Sequence, residues 1–259
     1  MTPTPPASEP AKAVLSIKGL TKRYRRLVAV DNIDIEVYPG DFVGFIGPNG
    51  AGKSTTMNCV SGVLAHDAGT IKVAGVDVLA APVEAREHIG FVPQELALYG
   101  YLTGEEFLRF VGSVRGLSEE AQSTQIEELL TLTELTAARD RVLKEYSGGM
   151  ARKIAICAAL LGPPELLLLD ESFVGLDPES TYRIRRRLER HCQEGGAILL
   201  SSHILEMLER VCTRFVIMSK GTVAKALTRT ELDAAVAAGE YEDLTQLYLR
   251  VTGKDVALV

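Results

Sequence analysis

Residues 43–56 read VGFIGPNGAGKSTT. The first residues, Val43, Phe45 and Ile46, form a short apolar run of the kind that makes a buried strand. Gly47, Gly50 and Gly52 then crowd one turn, and Lys53-Ser54 opens a helix-forming stretch. The string fits G-x-x-x-x-G-K-[ST], from Gly47, Pro48, Asn49, Gly50, Ala51 and Gly52 to Lys53 and Ser54, with Thr55 following. Glycines let the backbone curl so that several N–H groups face one anion. The start of the helix adds its positive end at the same place. This pattern predicts that Lys53 reaches the outer phosphates of a nucleotide and that the Ser54 hydroxyl ligates Mg²⁺.

The chain has 259 residues, 46% of them hydrophobic, which suffices for one large core with an inserted subdomain. Its formal charge of −6 argues against a surface built for nucleic acid, which requires clustered Lys and Arg. Cys59, Cys157, Cys192 and Cys212 show no metal-ligand spacing and read as buried thiols in a reducing compartment. His66, His88 and His191 read as surface histidines. Residues 1–13, MTPTPPASEPAKA, have the composition of a disordered tail and lack the features of a signal peptide. No run approaches the ~18 apolar residues needed to span a bilayer, so the expectation is a soluble, intracellular chain.

Along the chain, Val14–Ile17, Ile33–Val37 and Asp41–Ile46 read as strands of an antiparallel sheet leading into the phosphate loop. Tyr24 lies in the polar stretch TKRYRR; it either stacks on a base or anchors a hairpin. Ile89–Val92 is a strand closed by Pro93-Gln94. From 95 to 162 the period becomes helical. Thr103 and Glu106 form a capping box, Leu102 and Phe107 a staple, and Phe107, Val111 and Val114 one face. Ser118 caps a helix carrying Ile126, Leu129 and Leu130.

Ser147 caps the next helix, and Gly148-Gly149 in its first turn costs about 1 kcal/mol per glycine. Close approach of the backbone to an anion is the usual reason to accept that. Residues 166–171, LLLLDE, are a wholly apolar strand ending in two acids, as in a parallel sheet with ligands at its carboxyl edge. Asp177-Pro178 starts another helix. Ala197–Leu200 is a buried strand ending at Ser201, Ser202 and His203. A hairpin turns at Lys220-Gly221. Leu244, Leu247, Tyr248 and Val251 make an apolar stripe in a helical tail, which favours core packing.

Taken in order, Tyr24, GPNGAGKS (47–54), Gln94, SGG (147–149), LLLLDE (166–171), GLD (175–177) and His203 resemble the ATPase subunit of ATP-binding-cassette (ABC) transporters, from about residue 14 to 226. The resemblance implies an α/β fold. It has a P-loop core with a mainly parallel sheet and an antiparallel β-subdomain (14–94 and 163–226), and an inserted helical subdomain (95–162). A helical extension follows (227–259). It also implies ATP and Mg²⁺ as cofactors. By this likeness Tyr24 stacks on adenine, and Gln94 senses Mg²⁺ and the attacking water. Asp170 holds Mg²⁺ through water, Glu171 is the general base, and His203 contacts the γ-phosphate. Ser147, Gly148 and Gly149 close over the γ-phosphate bound to a second copy, in a head-to-tail dimer. Asp177 is grouped with the nucleotide-contacting residues.

Tyr146 and Met150 depart from the usual Leu-Ser-Gly-Gly-Gln. With 98–118 and 244–253 they resemble the branch that exports drugs, polyketides or lipids through a separate membrane permease. The resemblance therefore places the subunit on the cytoplasmic face of the cell membrane. Ser172 stands where proline usually follows the base. An import ATPase, a soluble cassette acting on DNA or ribosomes, and a scaffold without turnover are the rival readings. The intact Glu171 and His203 argue against the last.

Overall fold

The computed structural model describes residues 12–162 and 164–253. Most of the expected N-terminal tail, residues 1–11, lies outside them, as do the last six residues of the C-terminal extension. The chain opens with β1 (Leu15–Tyr24), β2 (Leu27–Val37), β3 (Phe42–Ile46) and α1 (Lys53–Val60). Then come β4 (Ala68–Val73), β5 (Val76–Asp77), α2 (Pro82–Glu87) and β6 (Ile89–Val92). Three helices follow, α3 (Gly104–Val114), α4 (Glu119–Leu132) and α5 (Gly148–Leu160). The remainder is β7 (Leu166–Asp170), α6 (Pro178–Gln193), β8 (Ala197–Ser201), α7 (Leu205–Val211), β9 (Arg214–Ser219), β10 (Thr222–Thr228), α8 (Arg229–Ala237) and α9 (Leu244–Val251).

Two sheets result. One is antiparallel, in the order β2-β1-β4-β5; the other runs β10-β9-β3-β8-β7-β6. In the second every pairing is parallel except β9 with β10. The run 41–46 was expected in the antiparallel sheet. The structure instead sets Phe42–Ile46 at the centre of the parallel one, between β8 and β9. All five of its residues are buried, and a strand covered on both faces belongs in a parallel sheet flanked by other layers.

The period-2 alternation of these central strands divides the core. Phe42, Ile46, Leu167, Leu169, Ile198 and Leu200 face the helices. Val43, Phe45, Leu166, Leu168 and Leu199 face the antiparallel sheet, together with Met57, Cys59 and Val60 of α1. The first helix is thus held between two sheets, with its N-terminus at the carboxyl edge of β3.

The helical segment is assembled by its caps. Thr103 Oγ1 accepts from Glu106 N at 3.2 Å while Glu106 Oε2 accepts from Thr103 N at 2.8 Å. Val114, expected on the inner face, is exposed. The buried stripe of α3 runs through Gly104, Phe107, Leu108 and Gly112, and Val114, about 20° beyond Phe107 and the last residue of the helix, lies at its margin. The stripe on α9 packs as core, with Leu244 and Leu247 fully buried. All four cysteines are free and buried.

His191 is not a surface residue: it is 6% exposed, and Nε2 lacks a hydrogen-bond partner among the described residues. Gly196 leaves the room, since a Cβ there would lie 2.1 Å from Nε2. Burial holds the His191 pKa below its ordinary value, so the ring is neutral. Among the described residues no helix is long and apolar enough to cross a membrane.

Candidate functional site

The loop between β3 and α1 curls around its own lysine. Lys53 is 7% exposed, and its Nζ donates to the carbonyls of Gly47 at 2.7 Å and Pro48 at 3.3 Å. Burial lowers its pKa, against the attraction of Glu171 and Asp170. Gly52 caps α1 at φ +106°, and a Cβ there would sit 2.6 Å from the Ala29 carbonyl oxygen, so no other residue fits. No side chain caps this helix, which leaves the N–H groups of its first turn directed outward. The sequence-predicted anion cradle is present as geometry: bare amides, a helix N-terminus and a buried ammonium.

The cradle opens on a cavity of about 260 Å³ lined by Asn49–Thr55, Gln94, Asp170, Glu171 and His203. The structure therefore brings together residues from four widely separated stretches. Gln94 leaves the end of β6 and accepts from Ser54 Oγ at 3.4 Å through Oε1. Asp170 and Glu171 end β7, beside β8 and its terminal Ser201. Asp170 is 2% exposed.

Ser201 has a part that the sequence reading missed. Its Oγ donates to Asp170 Oδ1 at 2.5 Å and accepts from Glu171 N at 3.0 Å. One hydroxyl orients the first acid's carboxylate and the second acid's backbone. The signal was strand register: Asp170 and Ser201 are directly paired, which no local pattern reveals.

Glu171 is the unusual residue. It takes φ +50°, a left-handed backbone that costs a non-glycine residue about 1–3 kcal/mol and tends to occur at functional sites. It is 6% exposed, and neither carboxylate oxygen has a hydrogen-bond partner among the described residues. His203 Nε2 lies 3.2 Å from Oε1 without the alignment of a hydrogen bond. Burial pushes the Glu171 pKa up, and the neighbouring Asp170 adds to this; His203 and Lys53 oppose it. A buried base with open lone pairs, facing a phosphate cradle, is arranged to receive a proton from something in the cavity.

The other candidate residues lie outside the cavity lining. Tyr24 is 45% exposed at the end of β1, paired across the hairpin with Leu27, with the Lys22 ammonium 5.6 Å from its ring centre. Ser147 caps α5 by accepting from Met150 N at 3.3 Å. A Cβ on Gly148 would meet nothing within 4 Å, whereas one on Gly149 would sit 3.0 Å from the Gly175 carbonyl. Packing within the chain thus accounts for Gly149 and leaves Gly148 unexplained. Asp177 is committed to structure: it caps α6 through Ser180 N at 2.8 Å and Ser180 Oγ at 2.6 Å, and pairs with Lys153 at 3.3 Å. Those partners hold its carboxyl far below the usual range.

A phosphate loop at the carboxyl edge of a parallel sheet, faced by two carboxylates at the end of a strand one removed from its own, defines a nucleoside triphosphatase of the P-loop class. The chain belongs to the ABC transporter family, whose model matches residues 30–174. It is 36% identical over 232 residues to the linearmycin resistance ATP-binding protein LnrL of Bacillus subtilis (strain 168), covering 90% of this chain and 75% of that one. To the daunorubicin/doxorubicin resistance ATP-binding protein DrrA of Streptomyces peucetius it is 35% identical over 231 residues, covering 89% and 70%. A solved ATP-binding subunit of an ABC transporter superposes with a TM-score of 0.87 at 32% identity, covering 92% of this chain and 99% of the other. The protein is an ATP-binding, ATP-hydrolysing subunit of an ABC transporter, and its relatives place it with the exporter branch.

Proposed function

We propose that this subunit drives export of a small molecule or lipid through a separate membrane permease, by ATP-dependent head-to-tail pairing of two copies. The observation that carries the hydrolytic half is Glu171, buried, unbonded at both oxygens and facing the cradle of Lys53. Glu171 accepts the proton of the attacking water, His203 holds position beside it, and Lys53 exchanges its loop carbonyls for phosphate oxygens. Tyr24, exposed at its hairpin, stacks on adenine.

The donor set fits Mg²⁺. Ser54 Oγ, Gln94 Oε1 and the Asp170 carboxylate are hard oxygens, and few protein ligands suit an ion that keeps waters and phosphate oxygens around it. Mg²⁺ bound there would neutralise charge between the outer phosphates.

The signature end of α5 supplies the argument for pairing. Gly148 is open on its own chain, and Ser147–Gly149 lie outside this chain's cavity. They serve the nucleotide of the second copy. In this reading 95–162 moves as a unit against 14–94 and 163–226, and 227–259 is an appendage.

The permease docks on the loop after Gln94. In that loop Leu96 and Leu98 are half-buried against the core. Tyr99 and Tyr101 remain exposed, at 59% and 88%, with Phe110 edge-on to Tyr99 at 5.5 Å. Exposed aromatics of this kind are over-represented among interface anchors. Membrane location then follows from docking. The test is co-expression with a candidate membrane permease. Recovery of the subunit in the membrane fraction only with that partner, and drug or lipid efflux abolished by Lys53→Ala, is the expected result. A subunit that stays in the soluble fraction would overturn the transport reading.

A further inference from the structure

Arg152 lies on the second turn of α5, five residues beyond Ser147. Its guanidinium leaves the helix and meets the loop after β6. Nη1 donates to the Pro93 carbonyl at 3.0 Å and Nη2 to the Gln94 carbonyl at 3.1 Å. A planar fork on two successive carbonyls fixes the orientation of the peptide between them as well as its position. That peptide carries Gln94, whose side chain faces Ser54 at the cavity.

The same end of α5 is tied to a second loop. Lys153 pairs with Asp177, and Gly149 abuts the Gly175 carbonyl. The first two turns of α5 therefore hold two of the chain segments that leave the nucleotide-facing edge of the sheet, one after β6 and one after β7. Such a helix cannot shift without taking Gln94 with it, because two charge-assisted hydrogen bonds must otherwise be given up.

We propose that Arg152 is a positioning residue for Gln94. Its clamp makes the Gln94 amide move with α5, so that contact at Ser147–Gly149 across the dimer is transmitted to the Ser54–Gln94 side of this chain's own site. The proposal rests on the ATP-hydrolysis reading above. It assigns no contact between Arg152 and nucleotide. The rival is that Arg152 merely fastens the helical segment to the core.

The test uses the full chain with Arg152→Ala, Arg152→Lys, Gln94→Ala and the double variant Arg152→Ala/Gln94→Ala. Steady-state ATPase is measured against ATP and against Mg²⁺. Hydrogen exchange is followed by mass spectrometry in the nucleotide-free protein. Losing the clamp should lower kcat about tenfold, the scale expected when a positioning contact is lost. It should also raise the Mg²⁺ concentration for half-maximal activity severalfold, and leave ATP binding in EDTA within about twofold. Amides of 93–96 should exchange faster while those of α3 and β7 keep their protection. Arg152→Lys should recover only part of the loss, since an ammonium does not span both carbonyls. In the Gln94→Ala background Arg152→Ala should change nothing further.

Wild-type turnover and Mg²⁺ dependence in Arg152→Ala, multiplicative losses in the double variant, or uniform loss of protection across the helical segment would each overturn the proposal. If Arg152→Ala proves insoluble, Arg152→Lys carries the same cycle with Gln94→Ala. A wild-type protein without ATPase activity would overturn the hydrolysis reading and this proposal with it. Active wild type with indifferent Arg152 variants would overturn this proposal alone.

Discussion

Replacing Glu171 by glutamine should abolish turnover and stabilise the protein at the same time. The amide keeps the shape and the buried position but cannot accept a proton. Loss of a general base costs about 10²–10⁴-fold in rate, so kcat should fall at least a hundredfold with ATP affinity retained. The stability effect comes from the same geometry. Wild type buries a carboxylate with neither oxygen hydrogen-bonded. Its pKa lies above the unfolded value because burial outweighs the attraction of His203 and Lys53.

A raised carboxyl pKa means that the native state penalises the ionised form. The penalty is complete above the folded pKa and fades as pH falls through it towards the unfolded value near 4.3. The amide is equally buried and unpaired, so what the variant relieves is the desolvation of the charge, worth about 1.4 kcal/mol for each tenfold weakening of the acid, and for a chain of this size each kcal/mol moves Tm by about 2–4 °C. Glu171→Gln should therefore melt a few degrees above wild type at pH 8, with the gap closing towards pH 4. The left-handed backbone at 171 is common to both and cancels. Calorimetry of the two nucleotide-free proteins across that pH range, with phosphate release measured in parallel, decides the matter. A variant that hydrolyses ATP at near wild-type rate refutes the base; one that melts lower at pH 8 refutes the electrostatic argument.

Lys53→Ala should eliminate hydrolysis and weaken ATP binding, measured by phosphate release and nucleotide titration; near-normal turnover would sink the phosphate-loop assignment. Ser201→Ala removes the hydroxyl shared by Asp170 and Glu171 N, and should cost about 1–3 kcal/mol in stability by denaturant melt along with slower turnover. Gly148→Ala adds a methyl that meets nothing within 4 Å among the described residues beyond its own turn, so it should fold normally yet lose ATPase activity; full activity would exclude this turn from the neighbour's nucleotide site. Tyr101→Ala should leave basal ATPase unchanged and reduce co-purification with the permease, at a cost of about 2 kcal/mol or more if it is an anchor.

The chemistry was legible in the chain wherever it depends on local geometry. The turn at 47–54 needs glycines at set intervals, a capping box needs two residues three apart, and an all-apolar strand announces burial on both faces. The order of such motifs was enough to indicate the family. What failed locally is instructive. Val114 kept helical spacing with Phe107 but fell outside the buried stripe, because the stripe's centre is set by what α3 packs on. His191 looked like any polar residue on α6, and only the absent side chain of Gly196 shows where the ring goes.

The strand 42–46 shows the boundary most clearly. Its sequence established that it is apolar and extended, but its partners lie more than 150 residues away, in β8 and β9. Pairing energy comes from cross-strand neighbours, which no window along the chain contains. The same holds for the Ser201 hydroxyl on Asp170, the Arg152 clamp on Gln94 and the buried, unbonded state of Glu171. Residue type and spacing determined which groups this protein possesses. The tertiary structure alone decided which of them share a dielectric environment and a hydrogen bond, because those depend on distances between segments the sequence keeps apart.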